Sequence, residues 1–221
     1  MQIRVKPFPR KPAYYKAMTS SLVLDDLLQQ AEIAHGHLCA GQILGVRMAM
    51  LACDRLGIEE PRGKDRKRLV TFIEIDRCAT DAIGVVTGCR LGKRALKFRD
   101  WGKMAATFVD LQLPLEQDLF KGLRISALES SKEKAAELYP HLEKNPQQMH
   151  AYREMPDNLL FSEQWVEVPL PRSEFPGFKG ARVACSVCGE GINYDRFVDG
   201  ESDPVCLGCA NPAARYYQPL P

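Results

Sequence analysis

The chain has 221 residues, of which 45% are hydrophobic and 26% charged, so it can bury one ordinary core with a small appended module and is not disordered throughout. The formal net charge of +2 indicates no particular class of partner. No stretch approaches the roughly 18 consecutive apolar residues that a membrane helix needs, and the start, MQIRVKPFPRKP, lacks the apolar segment of a signal peptide. We therefore expect a cytoplasmic protein with no membrane contact.

The first two predicted elements are helices. Residues 19–21 offer N-caps for the first helix, which carries apolar residues at helical spacing between 24 and 31. The segment HGHLCAG (35–41) interrupts this helix. A second helix is expected from about residue 37 or 38 to residue 56, and Gly57 ends it. Two glycines four residues apart on this helix let another backbone approach closely, namely Gly41 and Gly45.

A sheet with some antiparallel pairing is expected in the middle of the chain. The β-rich segment LVTFIEI (69–75) leads into a short helix at 78–89 that Gly88 stops, and the basic run PRGKDRKR (61–68) before it is interpreted as a solvated loop. Further strands are predicted at 94–100, 105–113, 121–128 and 164–170, with a helix at 130–145 and another helical segment through residue 152. The predicted fold class is α+β, a mixed sheet with flanking helices.

The composition changes near the end of the chain. Three prolines, Gly177 and few apolar residues other than phenylalanine mark a linker between Pro169 and Lys179. We predict a core domain at 1–170, a linker at 171–182, and a separate cysteine-containing module with its tail at 183–221.

Four of the eight cysteines form two CxxC pairs in this module. In a reducing compartment, metal ligation explains such pairs better than two disulfides or a redox pair. The spacing is typical of a tetrahedral four-thiolate zinc site in a zinc ribbon or treble-clef unit, which leaves no open position for a substrate. The mixed charge around it suits protein contacts better than a phosphate backbone. The predicted ligands of this structural zinc are Cys185, Cys188, Cys206 and Cys209.

A second candidate site lies in HGHLCAG. Residues two apart do not share a helix face, so His35 and His37 converge only if the chain bends, which Gly36 permits. A helix that begins near His37 places Cys39 in its first turn, where unpaired backbone N–H groups stabilise a thiolate. Two interpretations stay open: a reactive thiol beside imidazole, or a buried cysteine with a hydrogen-bonded histidine at a helix start.

The short helix at 78–89 carries a related set of residues. Cys78 and Asp81 lie on one face of its N-terminal end. Cys89 would lie about 16 Å from Cys78 on an unbroken helix, so it joins the site only if the chain folds back or another subunit brings it. Cys53 is assigned to the core.

Together these motifs resemble the FmdE family of proteins associated with formylmethanofuran dehydrogenase. The resemblance rests on HGHLCAG (35–41), CATDAIGVVTGCRLGK (78–93), DWGKMAATF (100–108) and the two CxxC pairs, in that order. Every cysteine, histidine and aspartate singled out above is kept. The family's usual proline, glutamine and threonine are replaced here by Ala40, Gly84 and Arg90.

The resemblance implies an α+β core with a cleft lined by the HGHxC and CxxD motifs, followed by a zinc-finger module, and a homodimer. Family members in methanogens accompany a molybdenum or tungsten enzyme that reduces carbon dioxide onto methanofuran, with the redox chemistry in other subunits. A protein partner in such a system is therefore implied, and whether this chain is itself an enzyme stays open.

We favour a metal-binding accessory or subunit protein, with structural zinc in the module for partner contacts. Thiolate together with imidazole selects zinc, copper(I) or iron over magnesium, so a second transition metal or a metal-cofactor fragment is expected in the core. The candidate core ligands are His35, His37, Cys39, Cys78, Asp81 and Cys89.

Two alternatives remain. The first is a thiol-dependent enzyme in which Cys39 is the nucleophile, His35 or His37 the base and Asp81 the group that orients the base. The second is a regulator whose zinc finger binds nucleic acid, a partner that the mixed charge does not favour.

Overall fold

The computed structural model describes residues 20–199, 203–218 and 220, so the predicted N-cap Thr19 lies outside the described residues. The α-helices are α1 (Ser20–His35), α2 (Ala40–Leu56), α3 (Cys78–Thr87), α4 (Ser130–Leu138), α5 (Lys144–Glu154), α6 (Asp157–Leu160) and α7 (Leu207–Ala210). The strands are β1 (Leu69–Ile73), β2 (Leu96–Phe98), β3 (Ala105–Glu116), β4 (Leu119–Ala127), β5 (Phe161–Pro169), β6 (Arg182–Ala184), β7 (Gly191–Asn193), β8 (Phe197–Asp199) and β9 (Pro204–Cys206). Short 3₁₀ turns occur at Leu91–Lys93, Arg172–Glu174 and Pro212–Ala214.

The main body is built on a five-stranded sheet in the order β2-β1-β3-β4-β5. Strands β1 and β2 are parallel, whereas the other neighbouring strands pair antiparallel. A parallel pair needs a crossover connection, and α3 supplies it between β1 and β2. The predicted α+β class, a mixed sheet with flanking helices, is confirmed. The topology places Cys78, the first residue of α3, just beyond the carboxyl end of β1.

Helix α2 is the central helix of the core and is buried on most sides. Ile43, Val46 and Met48 are fully buried, and burying side chains of this size contributes about 1.5–3 kcal/mol each. Gly57, in the left-handed conformation, ends the helix as predicted. Within the described residues, no helix combines the length and apolar character needed to span a membrane.

Helices α2 and α3 approach each other closely at Gly45. A Cβ atom at this position would lie 2.5 Å from the carbonyl oxygen of Ala79 and 2.9 Å from the Cβ atom of Ala82. Only a hydrogen fits there, so the predicted role of Gly45 in close backbone approach is seen in the structure. This contact fixes the spacing of the two helices whose N-termini carry Cys39 and Cys78.

Charged side chains hold the loop between β1 and α3. Glu74 has a side chain only 4% exposed, and its two carboxylate oxygens accept hydrogen bonds of 2.7 Å from Arg124 on β4. Its backbone carbonyl also accepts the N–H groups of Trp101 and Lys103. The loop that leads into Cys78 is therefore tied to both the sheet and the segment after β2.

The predicted helix at 130–145 is two helices in the structure. Helix α4 ends at Leu138, and α5 begins at Lys144. Pro140 explains the break, because the residue before a proline is disfavoured in helical conformation and proline donates no backbone hydrogen bond. Glu129, rather than Ser130 or Ser131, is the N-cap of α4.

The predicted linker packs against the main body. Leu170 is fully buried, and the ring of Phe175 packs edge-on against Phe120 with centroids 5.5 Å apart. The Nζ atom of Lys97 donates to the carbonyl of Glu174 at 2.6 Å. After the linker, two small hairpins form the module, β6 with β7 and β8 with β9.

Candidate metal centres

The break between α1 and α2 brings three donor side chains together. Gly36 has φ +96° and lets the chain turn after His35, the last residue of α1. The Cys39 backbone is extended, with φ −143° and ψ 167°. As a result, the donor atoms of His35, His37 and Cys39 all lie within 4.8 Å of one another. The convergence that the sequence made conditional on a bend is seen in the structure.

One detail of the predicted arrangement is wrong. Cys39 is the N-cap of α2 and not a residue of its first turn, because the chain stays extended up to this position and the helix begins at Ala40. Its carbonyl accepts the N–H groups of Gln42 and Ile43, as an N-cap carbonyl does. The thiol therefore lies at the end of the helix and beside the two imidazoles.

Asp81 orients His35. The Nδ1 atom of His35 lies 2.8 Å from Oδ2 of Asp81, in the first turn of α3. A carboxylate only accepts hydrogen bonds, so Nδ1 carries the hydrogen and Nε2 keeps its lone pair for a metal or a proton. The ring of His37 is tilted by 46° against that of His35, with centroids 4.9 Å apart. Asp81 thus acts on the cluster through His35.

Cys78 lies next to this cluster. A Cβ atom on Gly41 would be 3.4 Å from Cβ of Cys78 and 3.8 Å from Sγ of Cys39, so both cysteines face the start of α2. Burial raises the pKa of the Cys78 thiol, and hydrogen bonding and repulsion by Cys39 raise it further. Cys78 is a fourth sulfur or nitrogen donor beside the three that form the close group.

Cys89 lies elsewhere in the folded chain. It is buried at the opposite end of α3, with Sγ 3.5 Å from both Oγ1 of Thr71 and the carbonyl of Leu69. Gly88 in the left-handed conformation turns the chain into a 3₁₀ turn and not back towards Cys78. Burial raises the pKa of the Cys89 thiol. Within one chain it does not join the Cys39 cluster. Burial likewise raises the pKa of Cys53 to about 12, in agreement with its predicted place in the core.

The second group is the cysteine tetrad of the module. The Sγ atoms of Cys185, Cys188, Cys206 and Cys209 lie within 4.8 Å of one another. The first pair follows β6 and precedes β7, whereas the second pair joins β9 to the short helix α7. The sequence spacing alone was enough to identify this group.

Backbone N–H groups favour thiolate in the tetrad. The N–H of Cys206 donates to Sγ of Cys185 at 3.3 Å, and it is the largest cause that lowers the pKa of Cys185 to about 6. Neighbouring thiols, first among them Cys206, raise the pKa of Cys209 to about 12. The four thiols thus compete for protons, and a bound cation relieves the repulsion among their thiolates. Arg215 adds a contact that the sequence did not predict, since its Nη2 lies 3.1 Å from Sγ of Cys209.

The two groups differ in what they can do chemically. Four thiolates fill a tetrahedral site. The first group offers two imidazoles and a thiol, and His37 is exposed, so a further ligand can approach from solvent. An incomplete protein ligand set with solvent access is typical of sites that bind or transform a second molecule.

Comparison with known proteins places the first group inside a recognised family region. The family model described as "FmdE, Molybdenum formylmethanofuran dehydrogenase operon" matches residues 34–165, which include the first cluster and exclude the tetrad. A "Probable S-adenosyl-L-methionine-binding protein" of Archaeoglobus fulgidus is 32% identical over 228 aligned residues, which cover 90% of this chain. The chain spans only 57% of that relative's length.

A crystal structure shares the fold. It is that of an FmdE-like protein of the tungsten formylmethanofuran dehydrogenase type from Syntrophus aciditrophicus, which is 20% identical to this chain. The superposition has a TM-score of 0.57 and covers 87% of this chain and 94% of the other.

Proposed function

The chain belongs to the FmdE family, and on this basis we propose that it is a metal-binding accessory or subunit protein with a transition-metal site in its core and a structural zinc site in its module. The observation that supports this most strongly is the convergence of His35, His37 and Cys39 within 4.8 Å, with His35 oriented by Asp81. A histidine held by a carboxylate is the usual outer arrangement around a protein-bound metal.

The donor types of the core cluster narrow the choice of metal. Two imidazoles and a thiolate suit zinc, copper(I) or iron, whereas magnesium and calcium require oxygen ligands. Cys78 is the nearest additional protein donor, and the exposed side at His37 admits a ligand from outside the chain. A metal bound here would supply a Lewis acid or a redox centre, while the chain's own residues hold it and orient the donors.

The tetrad fits structural zinc and a role in protein contacts. Its four thiols and the N–H groups that point at them form a closed donor set. In line with the family, we propose a homodimer in the cytoplasm and a protein partner in a molybdenum or tungsten enzyme system. The ligand in the name of the Archaeoglobus relative is no part of this proposal, because the chain spans only 57% of that protein's length.

A thiol-dependent enzyme is the second candidate. It is favoured by the 2.8 Å contact of His35 with Asp81, because an oriented imidazole close to a thiol is the arrangement that activates a cysteine nucleophile. In this alternative Cys39 is the nucleophile, and the core cluster binds no metal in the working protein.

Metal analysis of the full-length protein distinguishes the two candidates. We expect about two equivalents of metal per chain, one for each donor group. The variants Cys39→Ser and His37→Ala should each lose one equivalent and keep the other. The control His141→Ala removes an exposed histidine outside both groups and should keep both.

Two results would contradict the proposal. If Cys39→Ser keeps the full metal content of the wild type, the core cluster is not the metal site. If the wild type contains only the tetrad metal and Cys39 is alkylated much faster than Cys78 at neutral pH, the thiol enzyme is the better description.

A further inference from the structure

The largest cavity of the described residues is separate from both metal centres. It has a volume of about 730 Å³ and lies between α1, the C-terminal half of α3, the loop at 61–67 and the linker residues Pro176 and Gly177. Its size is within the range of about 300–1,000 Å³ that is usual for small-molecule sites.

The cavity wall is strongly basic. Five of the fourteen lining residues are cations and none is acidic. The apolar part of the wall consists of small residues such as Ala34, Pro61 and Val85. The cations come from two segments that are distant in sequence, and they are Arg62, Arg66, Lys67, Arg90 and Lys93.

The charge of the wall is not neutralised by nearby acids. In the same basic run, Lys64 pairs with Glu60 and Arg68 pairs with Asp110, and both of these cations lie outside the cavity wall. By contrast, the five cavity cations form no ion pair with a carboxylate of the described residues, and the guanidinium of Arg62 contacts only the neutral amide oxygen of Gln30, at 2.5 Å. The run predicted to be a solvated loop therefore divides into paired residues and cavity residues.

The end of α3 does not account for this charge. A helix C-terminus is equivalent to about half a negative charge, which one cation offsets. Five cations leave a large positive excess, and their mutual repulsion has to be relieved by something outside the described chain. The loop is also held in place, because a Cβ atom on Gly88 would lie 3.1 Å from Cγ of Arg62.

We propose that this basic cavity binds a small molecule that carries two or more phosphate or carboxylate groups. Three guanidinium groups provide planar, two-pronged donors that match both kinds of oxyanion, and the two lysines add point charges. A single oxyanion would engage only part of this set. The small apolar side chains leave room for the uncharged body of the ligand between its charged ends.

The cavity lies along the same pair of helices as the core cluster. Ala34 on the cavity wall precedes His35, and Val85 follows Asp81 by four residues, about 6 Å along the helix axis. A ligand in the cavity thus has one end near the core cluster. Anion binding itself depends only on the cavity cations and does not require the proposed metal.

Calorimetric titration of the full-length protein tests the proposal, with fructose bisphosphate as the phosphate probe and tricarballylate as the carboxylate probe. The tighter of the two identifies the preferred oxyanion, and fructose monophosphate should bind about tenfold more weakly than the bisphosphate. In the double variant Arg66→Gln/Lys93→Gln, the affinity for the preferred probe should fall by about tenfold or more. The second pair, Lys67→Gln/Arg90→Gln, should show the same effect.

The matched control is Lys121→Gln/Lys144→Gln, which removes the same charge from two exposed residues outside the cavity and should bind like the wild type. The proposal is overturned if neither probe binds the wild type, or if the cavity and control variants lose affinity equally. It is also overturned if RNA or DNA binds and neither small anion competes, because the basic wall would then be a nucleic-acid surface.

Discussion

Replacing Gly45 by alanine tests whether the close approach of α2 and α3 organises the core. The added Cβ atom would lie 2.5 Å from the carbonyl oxygen and 2.8 Å from the Cα atom of Ala79, and a backbone cannot rotate away as a side chain can. Overpacking of this kind costs about 1–3 kcal/mol. Alanine in a helix recovers about 1 kcal/mol relative to glycine. We therefore expect Gly45→Ala to lower the free energy of unfolding by about 1–2 kcal/mol, from these two terms.

Gly41→Ala is the matched control on the same helix. Its Cβ atom would lie 3.4 Å from Cβ of Cys78, which is an ordinary contact, so only the propensity gain remains. Urea denaturation of both variants at the same metal load should show Gly45→Ala below and Gly41→Ala at or above the wild type. Because Gly45 sets the spacing of the helices that carry Cys39 and Cys78, the core metal should also be released more easily from Gly45→Ala. A Gly45→Ala protein as stable as the wild type would refute this account of the helix contact.

Three further changes address the core cluster and the charged network. Asp81→Asn removes the carboxylate that orients His35 and should weaken core metal binding by about 10–100-fold in a chelator competition. Arg124→Ala leaves Glu74 buried without its partner and should cost about 3–5 kcal/mol in urea denaturation. Asp65 accepts backbone hydrogen bonds, first from Glu60, that lower its pKa in the folded state, so it stabilises the fold above its unfolded pKa of about 3.9 and this contribution is lost as the pH falls further. Asp65→Asn should therefore be less stable than the wild type at neutral pH, and the difference should shrink below about pH 4.

Control variants separate these effects from general damage. Asp118→Asn changes an exposed aspartate far from the cluster in sequence and should leave metal affinity unchanged. Arg55→Ala removes an ion pair with Glu163 in which both side chains are about one-third exposed, and such pairs are worth about 0–1 kcal/mol. If Arg124→Ala costs no more than Arg55→Ala, the buried pair does not fix the loop before α3. If the stability difference of Asp65→Asn persists unchanged at low pH, the carboxylate is not the stabilising group.

Features that depend on local sequence were predictable. Apolar residues at helical spacing identified α1 and α2, and the β-rich segment before Cys78 identified β1, because the side-chain periods of helix and strand differ. Gly57 and Gly88 marked the ends of α2 and α3, since both positions need a left-handed backbone. The cysteine tetrad followed from the spacing of its two pairs, because each CxxC turn directs both thiols to one point.

Features that depend on packing between distant segments were not predictable in detail. The sequence made Asp81 a candidate, but only the fold places its carboxylate against His35, 46 residues away. Cys89 was kept as a candidate on spacing from Cys78, and only the turn at Gly88 sends it to the far end of α3. The basic run at 61–68 carries no local sign of which cations find an acidic partner.

What the sequence by itself determined is therefore the class of fold, the two groups of donors and the family, because each depends on residue type and spacing within short segments. The tertiary structure decided which donors meet, that the linker lies on the core and that five cations surround one cavity. These outcomes depend on how α1, α3 and the sheet pack, and packing follows from the sum of many weak contacts between residues far apart in the chain.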